Sequence, residues 1–178
     1  MKLTYSIPDK LYYIENFLDY STYKKLHYDV FRDKTAKLHS TKDSWDARLR
    51  HGHKTYVENF QLYVNYDPMQ EIKNLLKDNP FHKIKSENFN FIAHSMKSGS
   101  GINWHNDYNH EYGITYYINH RWNPKFGGEL MFATENTKGF LPLKGNSIII
   151  IKTPLEHKVT PVMNSIVPRK TIQIFIDK

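Results

Sequence analysis

The sequence predicts a mainly β protein: a jelly-roll-like core with N-terminal helices packed on its outer face. Two observations predict it. From about residue 88 the chain becomes a series of short β-rich runs, most of them separated by about eight to twelve residues, the rhythm of a sandwich or barrel. Before that point the clearest apolar periodicity is helical.

The helices come first. Ser21-Thr22 are candidate caps ahead of YKKLHYDVF, and Asp67-Pro68 ahead of MQEIKNLLKDNP, where Met69, Ile72, Leu75 and Leu76 share one helical face and Asn79-Pro80 ends the run. Such a stripe is the core-facing side of a surface helix. The strand candidates follow as FNFIAHSM, GITYYIN, ELMFA, NSIIIIK, HKVTPV and KTIQIFI, with Gly99, Gly101, Gly127-Gly128 and Gly145 supplying turns. No internal repeat or low-complexity linker interrupts them. The reading is therefore one domain over residues 1–178, with 1–87 as helical support and substrate loops and 88–178 as the jelly-roll core.

Composition limits the chemistry. With 178 residues and 39% apolar content the chain can bury a substantial core. There is no membrane-spanning run, and MKLTYSIPDK is not a secretory leader, so a soluble, cytoplasmic protein with no membrane partner is expected. Cysteine is absent, which confines any metal to His, Asp, Glu and backbone ligands. Lys and Arg number 25 against 18 Asp and Glu, a net charge of +7, but the basic residues are scattered and form no block typical of a nucleic-acid surface.

The run GINWHNDYNHEYG holds the triplet His105-Asn106-Asp107. On an extended strand, positions two apart project from one side, so an imidazole and a carboxylate would converge there. Alone, the triplet could equally be a surface salt link. Asp107 is followed 50 residues later (157 − 107) by His157 in PLEHKVTPV. Two histidines and one carboxylate can cover one triangular face of an octahedral ion and leave three positions open, as in the non-haem iron(II) facial triad. In RKTIQIFI, Ile172, Ile174 and Ile176 share one face while Arg169, Thr171, Gln173 and Phe175 share the other. If the isoleucines meet the helices, Arg169 points into the barrel, which is costly unless an anion meets it.

In this order His105-x-Asp107, ITYYIN, WNPKFGGELMF (122–132), His157-x-Val159-x-Pro161-Val162 and Arg169-x-Thr171 make the chain resemble the iron(II)- and 2-oxoglutarate-dependent oxygenases, specifically their prolyl 4-hydroxylase-like branch. YIENFL at 13–18 also looks like the family's approach to its first helix. The resemblance implies a double-stranded β-helix, with His105, Asp107 and His157 as the iron ligands and catalytic centre. It implies that Arg169 and Tyr117 hold the distal carboxylate of 2-oxoglutarate and that Thr171 adds a hydroxyl. Tyr117 read alone could be a core aromatic. Implied cofactors are Fe(II), 2-oxoglutarate as cosubstrate and O2, with ascorbate as an optional reductant.

Two departures stand out. Arg169 lies 12 residues after His157, more than is usual in the family, so MNSIV must form a longer turn; Arg169 is preferred over Lys158 and Lys170 on register. Ser95 stands where many relatives place a tyrosine lining the cosubstrate pocket. His94, His110 and His120 are read as surface or supporting residues, since the triad is complete without them.

The resemblance implies hydroxylation of a C–H bond with release of succinate and CO2, on a protein or peptide residue such as proline. Oxidative demethylation of nucleic acid, the less favoured partner class, and a catalytically silent jelly-roll binding protein are the alternatives. For substrate contacts the sequence suggests Tyr108 and Tyr112 in NDYNHEYG at the barrel mouth. It also suggests Trp45, Arg48 and Arg50 in the long connection SWDARLRHGHK, which could equally be a solvated loop.

Overall fold

The computed structural model describes residues 1–30, 39–40, 49, 57–62, 66–163 and 165–178. The described elements run β1 (Lys2–Ile7), β2 (Leu11–Glu15), α1 (Tyr20–Asp29), β3 (His39–Ser40), β4 (Val57–Leu62), α2 (Asp67–Lys77), β5 (Asn90–Met96), β6 (Ile102–His105), β7 (His110–Tyr117), a 3-10 turn (Pro124–Phe126), β8 (Leu130–Ala133), β9 (Lys138–Leu141), β10 (Ser147–Lys152), β11 (Glu156–Val159) and β12 (Arg169–Asp177). Antiparallel pairing joins them into an eight-stranded sheet, β1-β2-β10-β7-β12-β5-β4-β3, and a four-stranded sheet, β6-β11-β8-β9.

The four isoleucines 148–151 of β10 explain how the layers form. Ile148 and Ile150 pack with the helices, whereas Ile149 and Ile151 pack inward with Leu130, Phe132 and Leu141 of the small sheet. A strand covered on both faces loses the alternation of polar and apolar residues, which is why SIIIIK reads as continuous apolar sequence. Ile172, Ile174 and Ile176 of β12 join Tyr23 and Leu26 of α1 and Met69, Ile72 and Leu76 of α2 in the outer core, as their periodicity predicts. Burying one such side chain contributes about 1.5–3 kcal/mol.

Local signals set the helix ends with small shifts from expectation. Asp19, not Ser21 or Thr22, caps α1: its carboxylate accepts from the backbone N–H of both residues, which occupy the first turn. In α2 Pro68 sits in the first turn, where its missing N–H costs nothing, and Asp78 ends the helix just before Asn79-Pro80. The larger difference lies in the N-terminal half. Besides its two helices, it sends β1 to β4 into the large sheet. Strand β2, LYYIE, escapes the pattern because Tyr12 and Ile14 face the helices and Leu11 and Tyr13 face inward, leaving no alternation to read. Among the described residues no helix is long and apolar enough to cross a membrane.

Candidate active site

Strands β6 and β11 pair so that His105 and His157 are direct cross-strand partners, with ring centroids 4.2 Å apart. Asp107 joins them by a different route from strand alternation. β6 ends at His105, and Asp107 lies in the following turn with φ +50°, its carbonyl accepting from the N–H of His110 at 2.9 Å. The left-handed backbone swings the carboxylate back over the strand end, a conformation that aspartate tolerates better than bulkier residues. Oδ1 then lies 3.6 Å from His105 Nε2 and Oδ2 lies 3.4 Å from His157 Nε2. One ligand atom from each residue falls within 4.8 Å of the others, and this is the group of three or more such residues found among the described ones.

Both imidazoles are held in one tautomer. Nδ1 of His105 donates to the Asn103 carbonyl at 2.7 Å and Nδ1 of His157 to the Leu155 carbonyl at 2.8 Å, so each Nε2 presents a lone pair toward Asp107. Burial, and then the neighbouring His157, push the pKa of His105 down, with Asp107 opposing. Burial works against ionisation of Asp107, but the adjacent ring nitrogen of His157 and the nearby imidazoles of His105 and His110 outweigh it and hold its pKa below the ordinary value. Two imidazole nitrogens beside a carboxylate are a donor set suited to a divalent cation. Room for that carboxylate depends on Gly113, where a Cβ would stand 2.5 Å from Asp107 Oδ2.

Arg169 opens β12 opposite Met96 and is 0% exposed. Its Nε donates to the Gly128 carbonyl at 2.9 Å, and its guanidinium carbon lies 5.1 Å from the centre of the Tyr117 ring. Nη1, Nη2 and the Tyr117 hydroxyl are all buried and have no hydrogen-bond partner among the described residues. A buried cation with two idle donors is strongly unfavourable unless an anion completes it, and a carboxylate suits that fork. The donors present therefore fit the distal carboxylate of 2-oxoglutarate. Burial pushes the Tyr117 phenol up, with the guanidinium pulling the other way. Thr171, also fully buried on this face, accepts from Gln173 Nε2 at 3.3 Å and keeps its own proton for donation.

Gly128 does more than turn the chain. It has φ +80°, and a Cβ there would come 3.0 Å from Arg169 Cδ, so the glycine pair lets the backbone approach the arginine and anchor it. His94 was also not singled out as a pocket residue. It pairs with Thr171 and faces inward, while Ser95 falls on the opposite face with Phe91 and Ala93 and pairs with Lys170. The β5 side chain at the pocket is thus an imidazole, not the serine. His94 is 4% exposed, and burial followed by the charge of Arg169 pushes its pKa down to about 3.

The other expected site residues separate. Tyr108 is 66% exposed in the turn directly after Asp107. Tyr112 is not at the mouth: it shares the outer face of β7 with Ile114 and Tyr116, and its hydroxyl meets His82 Nε2 at 3.0 Å. Alternation from Gly113, which backs Asp107, forces this. His110 bonds Asp177 at 2.7 Å and His120 lies against the rings of Tyr20, Tyr23 and His27, so neither ring joins the cluster of His105, Asp107 and His157. Trp45, Arg48 and Arg50 lie outside the described residues.

Comparisons with known proteins agree with this geometry. Residues 91–177 match the family model of the 2OG-Fe(II) oxygenase superfamily. No curated protein searched matches the sequence. Among solved structures, a Pseudomonas putida prolyl-4-hydroxylase superposes with TM-score 0.72 at 14% identity, covering 95% of this chain and 92% of that one. A Trichoplax adhaerens prolyl hydroxylase, solved with a peptide fragment of the hypoxia inducible factor oxygen degradation domain, gives TM-score 0.70 at 16% identity over 96% of this chain and 84% of that one. A Burkholderia pseudomallei oxidoreductase of the 2OG-Fe(II) oxygenase family gives 0.64 at 13% identity over 98% and 94%. At such identities the structural likeness is one of fold. Residues 91–177, which carry His105, Asp107, His157 and Arg169, thus match the 2OG-Fe(II) oxygenase superfamily, and the protein is an oxygenase using Fe(II), 2-oxoglutarate and O2.

Proposed function

We propose that the protein hydroxylates a C–H bond of a protein or peptide residue, with proline the favoured target, and that residues 1–178 act as one catalytic domain. The observation that carries the reaction class is the pairing of a three-ligand cluster with the buried guanidinium of Arg169, whose two terminal nitrogens await an anion. The fold likeness to two prolyl hydroxylases, one solved with a peptide, supports the choice of substrate.

When bound, Fe(II) and 2-oxoglutarate supply the oxidation: O2 is consumed, the oxo acid is decarboxylated to succinate and CO2, and one oxygen atom enters the substrate C–H bond. The chain supplies placement. His105, Asp107 and His157 would hold the metal, and Arg169 with Tyr117 would bind the far end of the cosubstrate. Met96, Ile102, Val159 and Val162 form an apolar cluster alongside Arg169 that keeps water from it. Tyr108, exposed beside Asp107, would contact the peptide, and Trp45, Arg48 and Arg50 would also help to hold it.

The test is succinate release from 2-oxoglutarate against panels of proline-containing peptides, their proline-free counterparts and methylated oligonucleotides, with mass spectrometry of the products. Peptide-dependent turnover with an added oxygen on proline is expected. Turnover coupled only to oligonucleotides would replace the peptide reading with nucleic-acid demethylation. Replacing Trp45, Arg48 and Arg50 together by alanine should reduce peptide hydroxylation far more than uncoupled succinate formation.

A further inference from the structure

Strand β2 lies outside the segment that matches the family model, yet it packs in the inner cluster that also holds Tyr117. Tyr13 pairs with Ile149, and Ser147 on the intervening strand pairs both with Glu15 of β2 and with Tyr117 of β7. Tyr13 and Tyr117 consequently face the same interior from strands on either side of β10, and both belong to the inner apolar cluster. Tyr13 is 1% exposed, and its hydroxyl, like that of Tyr117 and like Nη1 and Nη2 of Arg169, has no hydrogen-bond partner among the described residues. The neighbouring hydroxyl of Ser147 donates its proton to the Lys144 carbonyl at 2.6 Å and so has none to give Tyr13. A phenylalanine would fill an apolar cluster equally well, so the idle phenol at this position asks for a ligand. Burial pushes the Tyr13 phenol up to about 12, with the Ser147 hydroxyl pulling the other way and Glu15 and then Tyr117 adding to the rise.

We propose that Tyr13 is a third donor to the anion held by Arg169 and Tyr117, its hydroxyl binding the distal carboxylate of 2-oxoglutarate. The proposal rests on reading this pocket as the 2-oxoglutarate site. A carboxylate offers about four lone-pair positions; a guanidinium fork takes two, and two phenols can take the others. Strand β2 would then be part of cosubstrate recognition rather than only widening the sheet.

Calorimetry on the full chain loaded with Mn(II), which avoids turnover, tests it. Wild type should bind 2-oxoglutarate; if it does not, the pocket reading itself fails. Tyr13→Phe should keep Mn(II) affinity, melt at the same or a higher temperature without ligand, and bind 2-oxoglutarate about 5–30-fold more weakly. Oxalate, which chelates the metal but has no distal carboxylate, should bind both proteins equally, and Ser147→Ala should bind 2-oxoglutarate like wild type. Unchanged 2-oxoglutarate affinity in Tyr13→Phe with lowered stability would overturn the proposal and make Tyr13 a structural partner of Ser147. Equal weakening toward oxalate would also overturn it, by placing Tyr13 at the metal end.

Discussion

His105 and His157 occupy one rung of the ladder between β6 and β11, and each spends Nδ1 on the carbonyl of the residue two positions before it. The two lone pairs are therefore aimed by backbone, not by other side chains. Replacing either imidazole would remove a proposed iron ligand, and among the described residues the metal-type cluster holds no fourth member to take its place. His105→Ala or His157→Ala should weaken Fe(II) binding more than the ~10–100-fold typical of losing a group that merely orients a ligand, and should abolish succinate formation while circular dichroism stays native. Full activity in either variant would remove the assignment.

Gly113→Ala offers a gentler probe of the third ligand. The new Cβ would stand 2.5 Å from Asp107 Oδ2, the movable end of a side chain, so the carboxylate gives way and the sheet need not. Metal affinity should fall by roughly 10–100-fold, with a melting temperature close to wild type. Loss of folding without a selective metal defect would show that the strand, not the carboxylate, absorbs the clash.

Arg169 should set cosubstrate affinity and leave metal affinity alone. Losing a charge-assisted bidentate contact in a buried site costs about 2–5 kcal/mol, so Arg169→Ala should raise the 2-oxoglutarate requirement at least tens-fold while Mn(II) still binds. Lys170 pairs with Ser95 on the other face, and Lys170→Ala should behave as wild type. The reverse outcome would mean the strand is shifted by one residue in solution.

What could be read from the sequence follows from which faces were marked. Three isoleucines on one side of RKTIQIFI turn Arg169 inward unambiguously, and the structure agrees. The convergence of His105 and Asp107 was legible, but its cause was not: alternation suggested it, whereas a left-handed turn residue produces it. Tyr13 was illegible because LYYIE is apolar on both faces and carries no sign of which tyrosine looks inward. Ser95 stands where the resemblance aligns a pocket tyrosine, yet His94 is the β5 residue that faces inward, because the face of β5 depends on how Met96 to Gly101 turns into β6. A lone sequence does not mark that geometry. Gly128 read as a turn and is one, but its carbonyl also holds Arg169, a contact between residues 41 positions apart.

His94 makes stability depend on pH in a direction that can be worked out. The unfolded chain protonates this imidazole near its ordinary 6.5, whereas burial, reinforced by Arg169, pushes the folded value down to about 3. Between these values the unfolded state binds more protons, so stability is complete above about pH 6.5 and declines as the pH falls toward 3. The slope for one such group is about 1.4 kcal/mol per pH unit. His82 and His105, also depressed by burial, add slopes of the same sign, so the wild-type curve alone cannot isolate His94. The difference between wild type and His94→Gln can. Urea midpoints measured from pH 6.5 to 4.5 in metal-free protein should fall less steeply in the variant, even if its stability at pH 8 is lower. Parallel curves would mean that His94 is protonated in the folded protein, and that the cavity beside Arg169 holds an anion or water able to accept its proton.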